Sequence, residues 1–253
     1  MGLNADLGGR RVLVTGASSG IGAATCRSIV ACRGSVAMLA RRKDRLQELR
    51  AELGERAVPV PCDVTDLEAL SSAVGEAAGS LSGLDGVVAV AGRSMVGTIA
   101  TGTPQHWKQL IELNLLGPLA TVRYSIDHFP TSGRRDVIVV ASTGAITPMV
   151  GVGIYAATKR GLRAAADALR LELAPAGVNV GCVLPGMFDT EGLTIEGMVF
   201  DGDIPPSDIP YFAGDAGPGS AADVADSVAF MLSRPEDFCI NELVVRPTRQ
   251  INP

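Results

Sequence analysis

Three residues in the second half of the chain have side chains and a spacing suited to proton transfer. Tyr155 and Lys159 stand four apart, so on a helix they share one face, and Ser142 precedes Tyr155 by 13 positions. A phenol, with a pKa of about 10, is a poor acid–base group near neutral pH. A neighbouring ammonium favours the phenolate and so lowers that pKa. A displacement of about three units needs roughly 4 kcal/mol of differential interaction, which a partly desolvated cleft can supply. A hydroxyl such as that of Ser142 would donate to an oxygen that gains charge during reaction. Taken alone, a Tyr-x-x-x-Lys pair also occurs on solvated helix faces.

A second group lies near the N-terminus, where Thr15-Gly16-Ala17-Ser18-Ser19-Gly20-Ile21-Gly22 follows an apolar run. Glycines permit a tight turn and a close approach of backbone to a pyrophosphate. The helix that follows offers free N–H groups and the positive end of its dipole. The spacing is Gly-x-x-x-Gly-x-Gly rather than the dinucleotide fingerprint Gly-x-Gly-x-x-Gly, and by itself it is equally a structural turn. Its place between the first strand and the first helix favours a phosphate-binding loop.

These groups need elements to position them, and apolar runs alternate with helical patterns along the whole chain. Strands are expected at Arg11–Thr15, Ser35–Ala40, Ala57–Pro61, Leu84–Val90, Asp136–Ala141, Val178–Leu184 and Leu243–Val245. Helices are expected at 20–33, Lys43–Leu53, from an Asp66 cap to Leu81, and from Pro104 to Phe129 with Thr103 as cap. Two more follow, from Tyr155 to Ala174 and from Ala221 to Ser233. Nearly continuous apolar strands alternating with helices predict a doubly wound parallel sheet of Rossmann type, an α/β fold, as one domain over residues 1–253. Turn-rich sequence between 190 and 220 breaks the rhythm and is expected to form a substrate lid.

Composition narrows the setting. Of 253 residues, 47% are hydrophobic and 19% charged, with a net charge of −5, which argues against a nucleic-acid partner. Five cysteines without a Cys-x-x-Cys, and two histidines, His106 and His128, have no metal-type spacing, so no metal is expected. They read as thiols of a reducing compartment, and a cytoplasmic protein is expected. Met1–Arg11 lacks the apolar core of a signal peptide. Val137–Thr158 is uncharged and long enough to span a bilayer, but Pro148 and glycines 144, 151 and 153 favour strand, loop and helix start. No membrane partner is expected.

Jointly these motifs are specific: the chain resembles the short-chain dehydrogenase/reductase family over nearly its whole length. The resemblance rests on Thr15–Gly22, on Ser142, Tyr155 and Lys159, on Asn114 in an earlier helix, and on the loop Pro185 to Thr190. It implies an enzyme that interconverts a carbonyl and an alcohol by hydride transfer with a nicotinamide cofactor. Tyr155 would be its acid and base, Ser142 would stabilise the reacting oxygen, and Lys159 would hold the nicotinamide ribose and lower the Tyr155 pKa. Asn114 would anchor a proton-relaying water. Gly16, Ser18, Ser19, Gly20 and Ile21 would hold the phosphates, Asp63 and Val64 would face the adenine, and Pro185, Gly186 and Thr190 would hold the nicotinamide end. Where the family shows Asn-Asn-Ala-Gly, this chain has Ala89-Val90-Ala91-Gly92. The small pair Ala91 and Gly92 is kept, but polar bracing must come from elsewhere. The family also implies a homodimer or homotetramer.

Cofactor choice turns on the tip of the second strand, where an acid would bind both ribose hydroxyls of NAD. Here the sequence is Ala40-Arg41-Arg42-Lys43. Guanidinium groups grip a phosphate, so Arg41, with Arg42, favours NADP over NAD. Met187, Phe188, Leu193, Ile195, Met198, Val199, Phe200, Ile209, Tyr211 and Phe212 would line an apolar pocket or form the lid's own core. Between Arg170 and Arg234 there is no Lys or Arg, while Glu172, Glu191, Glu196, Asp201, Asp203, Asp208 and Asp215 occur. That imbalance predicts a negative entrance and a small neutral or apolar substrate. Two other readings stay open: a non-catalytic NADP-binding regulator, and a 3-oxoacyl reductase acting on acyl-carrier-protein substrates.

Overall fold

The computed structural model describes residues 5–147, 149–191, 199–201 and 217–250. The chain runs β1 (Arg11–Thr15), α1 (Gly20–Ala31), β2 (Ser35–Ala40), α2 (Lys43–Leu53), β3 (Ala57–Pro61), α3 (Leu67–Leu81), β4 (Gly86–Ala89) and β5 (Met95–Gly97). It continues through α4 (Pro104–Ile111), α5 (Gly117–Ile126), β6 (Arg135–Val140), α6 (Gly153–Leu173), β7 (Val178–Pro185) and β8 (Phe188–Asp189). It closes with β9 (Val199–Asp201), β10 (Gly219–Ser220), α7 (Ala221–Leu232) and β11 (Glu242–Val245).

Among the described residues, seven strands form one parallel sheet in the order β11-β7-β6-β4-β1-β2-β3. Side chains alternate between its faces, and both faces are covered, which is why the strands are apolar at successive positions. Leu13, Leu39 and Val87 face the layer of α3, α5 and α6, packing with Leu70, Val122 and Leu162. Val12, Met38 and Val88 face α1, α2 and α7, packing with Ile29, Leu46 and Val228. The uncharged stretch 137–158 is divided among β6, a loop and the start of α6, and among the described residues no helix is long and apolar enough to cross a membrane.

Several boundaries differ from the sequence expectation. Asp66 does cap α3, its carboxylate accepting from the Ala69 N–H at 3.0 Å. Thr103 occupies the cap position of α4, but its hydroxyl makes no capping bond. Instead the carboxylate of Asp201, remote in sequence, accepts from the Thr103 N–H at 2.8 Å. The long helix expected from Pro104 to Phe129 is interrupted by a π-helical turn at Glu112–Leu116 and ends at Ile126. Helix α6 starts at Gly153, two residues before the expected Tyr155. Two small pairings had no forecast: β5 with β9, and β8 with β10. Of the expected lid, only 190–191, Val199–Asp201 and 217–220 fall within the described residues.

The amino end of the sheet is tied by a buried ion cluster. Asp136 accepts from Arg10 Nη2 at 2.6 Å, and from Arg134 Nε at 2.9 Å and Nη2 at 2.6 Å. Burial pushes the Asp136 carboxyl up against the pull of both guanidinium groups, so desolvation outweighs their attraction. Removing one partner still leaves two cations facing each other. Asp136→Ala should therefore destabilise the fold by about 3 kcal/mol or more, read from urea unfolding midpoints.

Candidate active site

The order of strands reverses at β1, with β2 on one side and β4 on the other, so a crevice opens beyond their carboxyl ends. The loop after β1 lines it. Gly16 has φ +68°, and a Cβ there would lie 3.0 Å from the Ala91 backbone. At Gly22 a Cβ would meet the Gly16 carbonyl oxygen at 2.2 Å, so only glycine lets α1 start this close to the turn. The missing pair of amides before Ala91 is replaced by Thr15, whose buried hydroxyl accepts from the N–H groups of Val90 and Ala91 at 3.1 Å each. A hydroxyl oxygen has two lone pairs, enough for both.

One cleft is walled by Gly16, Ser18, Ser19, Arg41, Arg42, Asp63, Val64, Ala91, Gly92 and Glu191. This brings Gly16, Ser18 and Ser19 together with Arg41, Arg42, Asp63 and Val64, whereas Ile21 lines the adjoining cleft and Gly20 lines neither. Arg42 donates through Nε and Nη2 to the Ser18 hydroxyl at 3.2 and 3.1 Å, and its Nη1 pairs with Glu191 at 2.8 Å. The Arg42 hydrogen bond holds the Glu191 carboxyl below the usual range. Arg41 is largely exposed and lies 3.6 Å from the Asp63 carboxylate. Asp63 also accepts from the Thr65 N–H at 3.0 Å and hydroxyl at 2.9 Å, which makes it a turn residue as well as a cleft residue.

The adjoining cleft is lined by Ile21, Gly92, Arg93, Ser94, Ser142, Tyr155, Lys159, Pro185, Gly186, Phe188 and Thr190, among others. Ser142 ends the β6 side, its hydroxyl accepting from the Gly144 N–H at 3.1 Å. Tyr155 is the third residue of α6, inside the first turn, where the helix dipole favours negative charge. Lys159, one turn on, is 4% exposed and donates to the Val140 carbonyl at 2.9 Å. Asn114 is fully buried within the π turn. Its side chain accepts from the Arg93 N–H at 2.8 Å and donates to the Arg93 carbonyl at 2.9 Å and the Thr158 hydroxyl at 3.3 Å.

Burial governs the charges here. It raises the Tyr155 phenol, while the hydroxyls of Ser142 and Ser94 pull in the opposite direction and are outweighed. Burial also brings Lys159 down to about 8. One of the three Lys159 protons goes to the Val140 carbonyl, which leaves two for other partners. All five thiols are unpaired, and burial raises each of them, Cys182 to about 12, so none is an activated nucleophile.

A family model described as short chain dehydrogenase matches residues 10–196. The chain belongs to the short-chain dehydrogenase family. Its sequence is 33% identical over 95% of its length to glycine betaine reductase ATRR of Emericella nidulans, although it spans only 19% of that longer protein. Among solved structures it is similar to a short-chain dehydrogenase of Burkholderia cenocepacia in complex with NADP, with TM-score 0.80, 30% identity, and coverage of 95% of this chain and 97% of that one. It is also similar to a 3-ketoacyl-(acyl-carrier-protein) reductase of Brucella melitensis complexed with NADH, with TM-score 0.85, 25% identity, and coverage of 97% and 100%. Both of those solved structures hold a nicotinamide cofactor.

Sequence reasoning missed Ser94, Glu191 as a partner of Arg42, and the Thr15 hydroxyl. Thr15 opens the Thr15–Gly22 motif, but neither Ser94 nor the Glu191 pairing belongs to a pattern that spacing marks. The predicted negative entrance finds no support in the described walls. Glu191 is paired with Arg42. Asp201 is 3% exposed, and there hydrogen bonds from Thr103, His106 and Trp107 outweigh burial and lower its carboxyl. Glu196, Asp203, Asp208 and Asp215 lie outside the described residues, as do Leu193, Ile195, Met198, Ile209, Tyr211 and Phe212. On the positive side, Arg160 is committed to the Ala145 and Ile146 carbonyls and Arg163 to Glu242, while Arg93 borders both clefts.

The depressed Lys159 pKa has a consequence for stability. Between about 8 and 10.5 the folded chain has released this proton and the unfolded chain still binds it, so stability rises with pH across that window. Compared with Lys159→Met, the wild-type chain without added cofactor should gain about 2 kcal/mol of unfolding free energy from roughly pH 7.5 to 9.5. Parallel denaturation curves at the two pH values measure it.

Proposed function

We propose that this protein is an NADP-dependent oxidoreductase that interconverts a carbonyl and an alcohol, with Tyr155 as its acid and base. The observation that carries the reading is the convergence of Ser142, Tyr155 and Lys159 on one cleft that shares Gly92 and Arg93 with the glycine-walled cleft. A nicotinamide cofactor supplies or accepts the hydride.

The chain's own residues do the rest. Lys159 reaches the floor of the cleft, where its ammonium is suited to ribose hydroxyls. Thr190 stands beside Gly20, and Pro185 and Gly186 wall the same side, which suits them to the nicotinamide end. With its phenol raised by burial, Tyr155 is protonated near neutral pH and is the proton donor for a carbonyl oxygen; in reverse it accepts the alcohol proton. The Ser142 hydroxyl uses a lone pair on the Gly144 N–H, which leaves its proton for the same substrate oxygen. Asn114 fixes the backbone of Arg93 against α6 and thereby the border between the two clefts. With the whole group present, a non-catalytic role has no feature of its own to support it.

The preference for NADP rests on charge. The tip of β2 carries Arg41 and Arg42 and no acid, and both line the adenosine-side cleft. Arg42 is shared with Ser18 and Glu191, so the more exposed Arg41 is the principal contact for a 2′-phosphate. Apolar Ile21, Val90 and Phe188 beside the polar group suit a small carbonyl compound. Exposed Ile111, Leu116 and Leu171 support a homodimer or homotetramer, and unpaired thiols support a cytoplasmic setting.

Two measurements test the reading. Tyr155→Phe should lower turnover of a ketone and aldehyde panel, followed by NADPH absorbance, by about 10²–10⁴-fold while cofactor still binds. Near-wild-type turnover in that variant would remove Tyr155 from the mechanism. Arg41→Ala should weaken NADPH by roughly 10–100-fold and leave NADH within about twofold, by fluorescence titration. Equal dissociation constants for the two cofactors in the unmutated protein would end the NADP assignment.

A further inference from the structure

The turn after β11 folds back onto a wall of the cleft that holds Tyr155. Strand β11 ends at Val245, and the Gln250 N–H donates to the Pro247 carbonyl at 2.9 Å, closing a tight turn over Thr248 and Arg249. The turn returns the Gln250 side chain to the corner where β7 ends. There its Oε1 accepts from the Met187 N–H at 2.8 Å. A backbone N–H only donates, so this partner decides which end of the side-chain amide faces the loop. The neighbouring Gly186 N–H donates to the Val245 carbonyl at 2.8 Å, and the Met187 carbonyl accepts from the Gly219 N–H at 3.0 Å.

Gly186 marks how closely the two segments fit. A Cβ there would collide with Oε1 and Cδ of Gln250, so the amide fills the space that any larger residue at 186 would need. Glycine also leaves the peptide between 186 and 187 free to rotate at little cost. In a trans peptide the carbonyl points opposite to the N–H of the next residue. With the Met187 N–H turned to Gln250, the Gly186 carbonyl is turned away from the tail. Pro185, Gly186, Phe188 and Thr190 line the cleft that holds Ser142, Tyr155 and Lys159, and Gln250 stands behind that wall. Its acceptor thus selects one orientation of a peptide at the cleft surface.

We propose that Gln250 is a positioning residue for the cofactor, fixing through Met187 the peptide wall that meets the nicotinamide end. This rests on Pro185, Gly186 and Thr190 facing that end. Without the Gln250 oxygen the Met187 N–H loses its acceptor, and the 186–187 peptide samples several orientations. Binding then selects one of them, and affinity falls by the fraction that is competent. The cleft walled by Gly16, Arg41 and Asp63 does not include this corner. Contacts to the adenosine and its phosphates are therefore independent of Gln250, and its effect belongs to one end of a dinucleotide.

Two ligands separate the ends. NADPH carries the whole dinucleotide, whereas 2′,5′-ADP has the adenosine and its phosphates but no nicotinamide. Gln250→Met keeps the length of the side chain and removes the acceptor. It should weaken NADPH by about 3–10-fold in fluorescence titration, the effect of one neutral hydrogen bond, and leave 2′,5′-ADP within about twofold by calorimetry. Gln250→Glu keeps an acceptor oxygen at the same reach and should return NADPH to within about twofold of wild type, at an ionic strength that screens the added charge. Gln250 is half-buried on a surface turn, and thermal melting checks that each variant folds. Gln250→Ala takes the place of the methionine variant where that one does not. Unchanged NADPH affinity in Gln250→Met, equal weakening of both ligands, or a glutamate variant as weak as the methionine one overturns the role of Gln250. Failure of the wild-type chain to bind NADPH overturns the cofactor reading instead, so the two failures are distinct.

Discussion

The close approach of two strand ends, β1 at Thr15-Gly16 and β4 at Val90-Ala91, is the constraint on which the rest of the site depends. The Thr15 hydroxyl takes both N–H groups of the facing loop, and Gly16 has no side chain to keep the backbones apart. With the two loops in contact, the crevice is divided into two clefts that share Gly92 and Arg93. A larger residue at 16, or a side chain without an acceptor at 15, would move that shared wall, and both clefts would change together.

Desolvation, more than charge pairing, sets the state of the reacting side. It leaves Tyr155 as a neutral phenol and Lys159 as an ammonium that gives up its proton more easily than a solvated lysine. The Lys159 ammonium gives one of its three protons to the Val140 carbonyl. The first-turn position of Tyr155 on α6 and its flanking hydroxyl groups are what make the opposite charge state reachable.

Much of this was legible in the sequence. The alternating elements could be read because a parallel sheet buried on both faces needs continuous apolar strands, and the runs through Val12–Val14, Val36–Leu39 and Val137–Val140 are of that kind. The Gly16–Gly22 turn and the Ser142, Tyr155 and Lys159 group could be read because local geometry dictates their spacing. What escaped has no local signature. The three-residue strands β5 and β9 are too short for an alternation to show. Asp201 caps a helix start that lies far from it in the chain, and Glu191 meets Arg42 only after the sheet has formed. The π turn that buries Asn114 occurs in a segment whose composition reads as plain helix. Counting acids along a segment says nothing of their surroundings: of the counted carboxylates, Asp201 is buried and hydrogen-bonded and Glu191 is paired with Arg42.

The β5–β9 pairing joins segments on opposite sides of most of the catalytic sequence, since α4, α5, β6, α6 and β7 all lie between them. Loop closure over that length is an entropic burden that local helices and adjacent strand pairs do not bear. Assembly of the chain accordingly has a natural late step, in which β9 pairs with β5 once the central sheet has formed. Amide protons of Val199 and Gly97 would then exchange with solvent by a smaller opening than those of the central strands.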